Sequence, residues 1–220
     1  MKKNQLFLLL FVSGILSFQS CKKDGVGEKE QTVYSTDFSS NDGFWPTGTR
    51  SNGTILMIEG GYYALSTQGV EWNVWLKSLF EKNVQRSAIE ASVKVSTIGG
   101  DTWGNGGLIW NLQGSGSSIT GMSYFYISHN GQFVIGGYPN GYNKPYVNYV
   151  NWTENNVIKK EAFNKLRIEN IQGTWHFYIN GKEVHSMPSK KGNLLDQVGV
   201  AAHPKTILMV DYFKAVTIGQ

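Results

Sequence analysis

Apolar residues recur at every second position in one short run after another along this chain, and glycine, asparagine and other turn formers separate the runs. A period of two puts the apolar side chains of a run on one face of an extended strand, so the pattern predicts strands. The runs cover residues 33–38, 55–58, 62–66, 72–79, 88–95, 107–112, 124–128, 133–137, 166–169, 175–180, 183–187, 198–202 and 207–216. Many short strands at close spacing predict an all-β sandwich or barrel. Composition agrees, because 26 glycines in 220 residues with 13% aromatic and only 16% charged residues suit sheets better than helices. A helical period shows weakly at residues 153–162, where Asn155-Asn156 favours a loop.

Two hairpins are written into the turns. Asn130-Gly131 and Asn180-Gly181 each supply two residues that tolerate positive φ, so both predict two-residue type I′ turns. In the second hairpin this register sets Tyr178 opposite Glu183, Phe177 opposite Val184 and His176 opposite His185. Phe177 and Val184 then face the core. The two imidazoles share the other face, where a metal would need a further ligand and Glu183 is the only nearby acid; two solvated rings are the plainer expectation. Alternation on residues 107–112 turns Leu108, Trp110 and Leu112 inward and leaves Ile109 and Asn111 outward. On residues 124–128 it turns Phe125 and Ile127 inward and leaves Tyr124, Tyr126 and Ser128 outward.

Ahead of this pattern, Lys2 and Lys3 open the chain, an apolar stretch follows, and Ser17-Phe18-Gln19-Ser20 lead into Cys21, the single cysteine. The layout predicts a secretory signal peptide over residues 1–20, its apolar part too short for a permanent span. It resembles the lipobox of a bacterial lipoprotein, with Phe18 where leucine is more usual, as in the looser lipoboxes of Bacteroidetes-like bacteria. The resemblance implies acylation of Cys21 and an outer-membrane location, with the lipid anchor as the only membrane contact. Lys22-Lys23-Asp24 is similar to a short charged signal for export to the cell surface. The alternatives are a signal peptide cleaved elsewhere and a buried first helix. Residues 21–32 read as a lipidated flexible tether and residues 33–220 as one domain. No second cysteine remains for a disulfide, so burial must stabilise that domain. Removing residues 1–20 takes away two lysines and no acid, which lowers the net charge from +4 to +2. With no basic cluster in the body beyond Lys190-Lys191, no nucleic-acid partner is expected.

The string Asn164-Lys165-Leu166-Arg167-Ile168-Glu169, a spacer, and Trp175-His176-Phe177-Tyr178-Ile179-Asn180-Gly181-Lys182-Glu183-Val184 together resemble the paired strands of concanavalin A-like lectin/glucanase domains. That group includes laminin G-like domains and family 16-type glycoside hydrolases. Asp37-Phe38, Gly43-Phe44-Trp45, Ile58-Glu59-Gly60-Gly61-Tyr62-Tyr63, Gly106-Gly107-Leu108-Ile109-Trp110 and Val210-Asp211-Tyr212-Phe213 follow in similar order. The arrangement is similar in particular to 3-keto-disaccharide hydrolase-like and family 16-like domains of surface bacteria, over residues 33–218. It implies a two-sheet antiparallel β-sandwich of the concanavalin A-like jelly-roll type, one sheet curved into a groove. Such domains often hold a structural calcium near the chain ends, and Asp37 and Asp211 match acidic positions there; turn-forming aspartates are the plainer expectation. No other cofactor is expected.

Aromatic residues and amides crowd the parts of the chain that would flank such a groove. Trp103 lies in a glycine-rich loop, and Tyr138, Tyr142, Tyr146, Tyr149 and Trp152 share a stretch with Asn140, Asn143, Asn148 and Asn151. Sugars present flat C–H faces to aromatic rings and hydroxyls to amides, so the expected partner is a polysaccharide or oligosaccharide. The candidate carbohydrate-binding residues are Trp103, Asn111, Tyr124, Tyr126, Tyr138, Tyr142 and Trp152. Retaining hydrolysis of the family 16 type needs two carboxylates about 5 Å apart, and the chain has no Glu-x-Asp-x-x-Glu run to supply them. Glu71, Glu90, Asp101, Glu154 and Glu183 are the acids that strands might still bring together. The expectation is a binding protein. An enzyme on the same scaffold, a glycoside hydrolase or a 3-keto-disaccharide hydrolase-like protein, is the first alternative, and a scaffold component of a glycan-uptake system is the second.

Overall fold

A computed structural model of the chain describes residues 29–76, 79–80, 84, 86–100, 103–115, 118–189, 195 and 197–219. The expected signal peptide, Cys21 and Asp101 lie outside the described residues. Fifteen strands make up the described fold: β1 Glu30–Thr36, β2 Gly48–Thr49, β3 Ile55–Glu59, β4 Tyr62–Ser66, β5 Trp72–Leu76, β6 Arg86–Thr97, β7 Asn105–Ser115 and β8 Ser118–Ser128, then β9 Gln132–Gly137, β10 Val147–Glu154, β11 Asn164–Ile171, β12 Thr174–Ile179, β13 Lys182–Pro188, β14 Val198–Ala202 and β15 Thr206–Ile218. No helix occurs among the described residues. A nine-stranded sheet runs β13-β12-β11-β6-β15-β4-β3-β2, with β1 also paired to β15, and a six-stranded sheet runs β10-β9-β8-β7-β14-β5. Trp110, Trp175, Phe125, Phe177, Ile89 and Leu108 are fully buried in the core shared by the two sheets. The protein is therefore an all-β, two-sheet antiparallel sandwich, as the alternation predicts.

Strand β15 organises the larger sheet. It pairs with β6 along nearly all of its length, with β4 through residues 207–210 and with β1 through residues 213–218. The register slips between Val210 and Tyr212, at Asp211, where one partner gives way to the other. Beside this exchange the Asp37-Phe38 and Gly43-Phe44-Trp45 segments bury an aromatic nest, with Trp45 5.0 Å from Phe38 and 5.6 Å from Phe213 between ring centres. Each polar tip in the nest has a partner: Trp45 Nε1 donates to Tyr34 Oη at 2.7 Å, Tyr34 to Asp42 at 2.6 Å, and Tyr63 to the Pro46 carbonyl at 2.8 Å.

Four expectations are corrected. First, residues 147–154, which the alternation leaves outside every strand, form an edge strand; two register slips against β9 break the period of two that would have announced it. Second, only Gly131 of the first turn takes positive φ, 94°, so Ser128 and Gln132 are joined by a three-residue loop. Ser128 Oγ closes that loop by accepting the Gln132 N–H at 3.0 Å. The second turn does use Asn180 at φ 52° and Gly181 at φ 80°. Third, Tyr178 faces Glu183 as expected, but a bulge at Val184 shifts the rest of the pairing, so Phe177 faces His185 and His176 faces Ser186. The two imidazoles are thus not opposite one another, and His176 Nδ1 lies 3.2 Å from Glu183 instead. Fourth, Leu112 leaves the main core, for a reason that belongs to the groove described below. The first strand also begins at Glu30, inside the segment expected as tether.

Two polar assemblies fix the nine-stranded sheet. The buried Asn164 accepts from Lys159 N–H at 2.8 Å and from Asn180 Nδ2 at 2.9 Å, and donates to the carbonyls of Lys159 and Ala162. Asn180 in turn accepts from Lys165 N–H and donates to the Val157 carbonyl. These two amides tie the 155–163 loop to the β12–β13 turn. On the sheet's outer face, Lys214, Glu90, Arg167 and Tyr178 stand in one cross-strand row. Glu90 meets Arg167 at 3.4 Å and accepts from Tyr212 at 2.7 Å, while Glu30 meets Arg167 at 2.6 Å and Lys214 at 3.1 Å. Burial raises the Glu30 pKa, but the Lys214 bond and the Arg167 charge outweigh it and hold the carboxyl below its ordinary value of 4.5.

Asn164→Ala is expected to destabilise the domain by about 2–4 kcal/mol in urea titration, because several buried partners lose their hydrogen bonds at once. A depressed carboxyl contributes stability that is full above pH 4.5 and is lost as pH falls through its folded-state value. Acidification through that window is therefore expected to lower the amide protection factors of β1 first, and Glu30→Gln to remove the Glu30 share of that pH dependence.

Candidate functional site

The six-stranded sheet is apolar on both faces. Its inner face joins the main core, while Ile109, Leu112, Met122, Tyr126, Val134 and Ala201 form a separate buried cluster, with Ile119 and Tyr124 packed against it. Leu112 reaches this cluster through a bulge. Trp110 pairs with Ser123 and Gln113 with Gly121, so three steps on β7 match two on β8, and Asn111 takes φ 51° to absorb the extra residue. The side-chain phase flips there, which sends Leu112 to the face opposite Trp110.

Over this cluster lies a groove of about 400 Å³ lined by Glu71, Trp103, Asn105, Met122, Tyr124, Tyr126, Tyr138, Tyr142, Tyr146, Trp152 and His203. Tyr126 is buried at the bottom, 2% exposed, where it donates to Glu71 Oε1 at 2.8 Å. It can extend there because the positions paired across from it are Gly107 on β7 and then Ala201 on β14, which carry little or no side chain. Tyr124 stacks on Tyr126 with ring centres 4.4 Å apart, and its hydroxyl shares a 2.8 Å hydrogen bond with that of Tyr146. Tyr138 then bridges Tyr146 and Tyr142 at 5.4 Å and 5.1 Å. Five tyrosines therefore touch in a continuous series.

The walls are held by backbone. In the β9–β10 connection, Tyr138 N–H donates to Met122 O, Tyr142 N–H to Thr120 O, and Gly141 turns the chain at φ 104°. Gly121 lets that connection lie directly on β8, since a Cβ there would meet the Tyr138 carbonyl at 2.6 Å. Gly136 performs the same service for the Tyr146 ring, whose hydroxyl occupies the place of the missing side chain. On the opposite wall, the buried Asn105 donates to the Trp103 carbonyl at 2.7 Å and fixes the backbone from which the indole projects. Trp103 is 60% exposed and Trp152 36%, so these rings offer open faces.

Burial and then the Glu71 charge push the Tyr126 hydroxyl well above its ordinary pKa. Burial and the Tyr146 bond do the same for Tyr124, with Glu71 adding to it, and burial with Glu71 raises Tyr142. These phenols stay protonated at any working pH and keep their donor protons.

Of the residues the sequence nominates, Trp103, Tyr124, Tyr126, Tyr138, Tyr142 and Trp152 come together in the groove. Asn111 does not line it; its amide donates to the Pro139 carbonyl at 3.4 Å, and Gln113 Nε2 donates to the same oxygen. Asn111 therefore positions the wall. Glu71, Asn105 and His203 were not singled out for this site. Alternation would have placed Asn105 and His203 on the faces of Gly107 and Ala201, whereas Glu71 depends on the β5–β14 register, which no local signal gives.

The remaining acids scatter. Glu90 belongs to the outer face of the other sheet, Glu183 stands beside His176, and Glu154 lines a separate hollow of about 530 Å³ with Asn130, Lys160 and Lys182 and no aromatic face. Asp37 Oδ1 accepts from the Ser39 hydroxyl at 2.7 Å and from the Ser39 N–H at 3.0 Å, bonds that hold this carboxyl below its ordinary pKa. Among the described residues no three His, Cys, Asp or Glu side chains gather as a metal site. Asp37 is engaged by Ser39, and Asp211 stands where the β15 register slips.

No protein-family profile and no curated protein matches the chain. Its shape is similar to solved structures. The catalytic domain of an endo-1,3-beta-glucanase (laminarinase) from Thermotoga petrophila matches at TM-score 0.57 and 13% identity, covering 88% of this chain and 100% of that one. The Emp47p carbohydrate recognition domain matches at 0.57 and 13%, over 87% and 98%. The CBM2 module of the evolved Dit protein of Lactobacillus casei phage J-1 matches at 0.59 and 13%, over 89% and 99%. Likeness at such low identity establishes the fold, the concanavalin A-like jelly-roll sandwich that glucanase and lectin-type domains share.

Tyr126→Ala is expected to cost about 3–5 kcal/mol in urea titration, as a large-to-small change in a packed cluster does.

Proposed function

We propose that the chain binds carbohydrate in this groove and is displayed at a cell surface by lipid on Cys21. The observation that carries the reading is the convergence of two tryptophans and five tyrosines from separate strands and loops on one cleft. Among the described residues, half of the exposed large hydrophobic side chains line it, namely Trp103, Tyr142, Tyr146 and Trp152. Open ring faces suit the C–H faces of pyranoses, and Asn105, Glu71 and the fixed phenols suit their hydroxyls. That a laminarinase and a carbohydrate recognition domain share the fold supports a saccharide ligand.

Binding is favoured over hydrolysis because Glu71 is the single carboxylate among the described lining residues, and a retaining glycosidase needs two about 5–5.5 Å apart. It is favoured over a scaffold role because the exposed rings gather in a cleft instead of spreading over a flat apolar patch. The lipid anchor would hold that cleft outside the outer membrane, where polymers too large to enter are met first. The experiment is affinity electrophoresis through gels containing soluble polysaccharides, with a reducing-sugar assay on the same polymers. Trp103→Ala and Trp152→Ala are each expected to weaken retention about tenfold, or ~1.4 kcal/mol. Both should shift Tm by less than about 2 °C. Undiminished retention in both variants, or release of reducing ends by the wild type, would overturn the reading.

A further inference from the structure

Glu71 is the one acid among the described residues that line the cleft. It precedes the edge strand β5, its side chain is exposed, and Oε1 is held by the Tyr126 hydroxyl at 2.8 Å. No lysine or arginine is among the described residues that line the groove, and His203 is the one basic side chain there. The carboxylate's influence reaches across the site, since its charge contributes to the raised pKa values of Tyr124, Tyr126 and Tyr142. These phenols are fixed donors that stay uncharged, so nothing in the described lining compensates a second negative charge.

We infer that the groove selects uncharged glycans, and that Glu71 determines this specificity by accepting sugar hydroxyls and turning away uronic and sulfated residues. The inference rests on the carbohydrate reading given above. A hydroxyl donated to a carboxylate forms a charge-assisted bond stronger than one donated to an amide, so a neutral sugar gains from Glu71. An anionic sugar seated on the same rings brings like charges close together, a repulsion that added salt screens. Tyr126, itself buried, contributes by holding the exposed carboxylate in place from below.

The test uses the purified protein at low ionic strength, where charge repulsion is least screened. Gels are cast with neutral polymers (a β-glucan, a mannan, a xylan) and with acidic ones (alginate, polygalacturonate, a sulfated galactan). The wild type is expected to be retarded by at least one neutral polymer and by none of the acidic ones, with acidic polymers gaining retention as salt is raised. Glu71→Gln keeps an oxygen for Tyr126. It is expected to weaken neutral retention about tenfold, to admit acidic polymers at low salt and to leave Tm unchanged. Equal retardation by acidic and neutral polymers at low salt, or an unaltered pattern in folded Glu71→Gln, overturns the inference and leaves carbohydrate binding standing. Retardation by no polysaccharide overturns both. Should Glu71→Gln fail to fold, the wild-type panel and its salt series still decide.

Discussion

A sheet with apolar side chains on both faces must be covered twice, and only one face of the six-stranded sheet here has another sheet to cover it. The uncovered side carries Ile109, Leu112, Met122, Val134 and Ala201, all nearly inaccessible to water. What shields them is the stacked pair Tyr124 and Tyr126 and the aromatic walls that lean over it. The hydrophobic effect therefore does part of the work of building the cleft, since the rings that line it belong to the same layer that keeps the sheet dry. That layer is rigid for a further reason: each inner phenol is bonded, Tyr126 to Glu71 and Tyr124 to Tyr146, so neither ring can turn without leaving a polar group unpaired.

The same economy appears in the larger sheet by other means. Its outer face has no aromatic layer. Glu90, buried on β6, is made tolerable by Arg167, Tyr212 and Lys165 around it, and the first strand is drawn into the network through Glu30. A buried ion pair of this kind brings little net stability against an apolar replacement, but it imposes a geometry that apolar contacts do not. It specifies which strands lie side by side. The two sheets thus solve the problem of an uncovered face differently: the aromatic layer lines a hollow of about 400 Å³, and the ionic network, with Glu30, Glu90, Arg167 and Lys214, lines one of about 410 Å³.

Most strands were legible because a period of two survives wherever a strand has one core face, as in β4, whose residues 62–66 the pattern delimits as the structure does. The pairing of Tyr124 and Tyr126 on the face away from Phe125 and Ile127 follows from the same rule. What alternation misses are single-residue insertions. The bulges at Asn111 and Val184 shift phase without any change in composition, which is why Leu112 and the His176–His185 pairing were misplaced. The edge strand β10 was missed for a related reason, its slips against β9 letting the adjacent Tyr149 and Val150 both pack against the main core. Glu71 was visible as an acid but not as a neighbour of Tyr126, because contacts across three strands depend on long-range register.

The bulge at Asn111 divides β7 into two independent reading frames. Upstream, Leu108 and Trp110 answer to the packing between the sheets; downstream, Leu112 and Gln113 answer to the cleft and its β9–β10 wall. Substitutions on the downstream half would therefore be felt first in the cleft and its wall, and those on the upstream half first in the packing between the sheets.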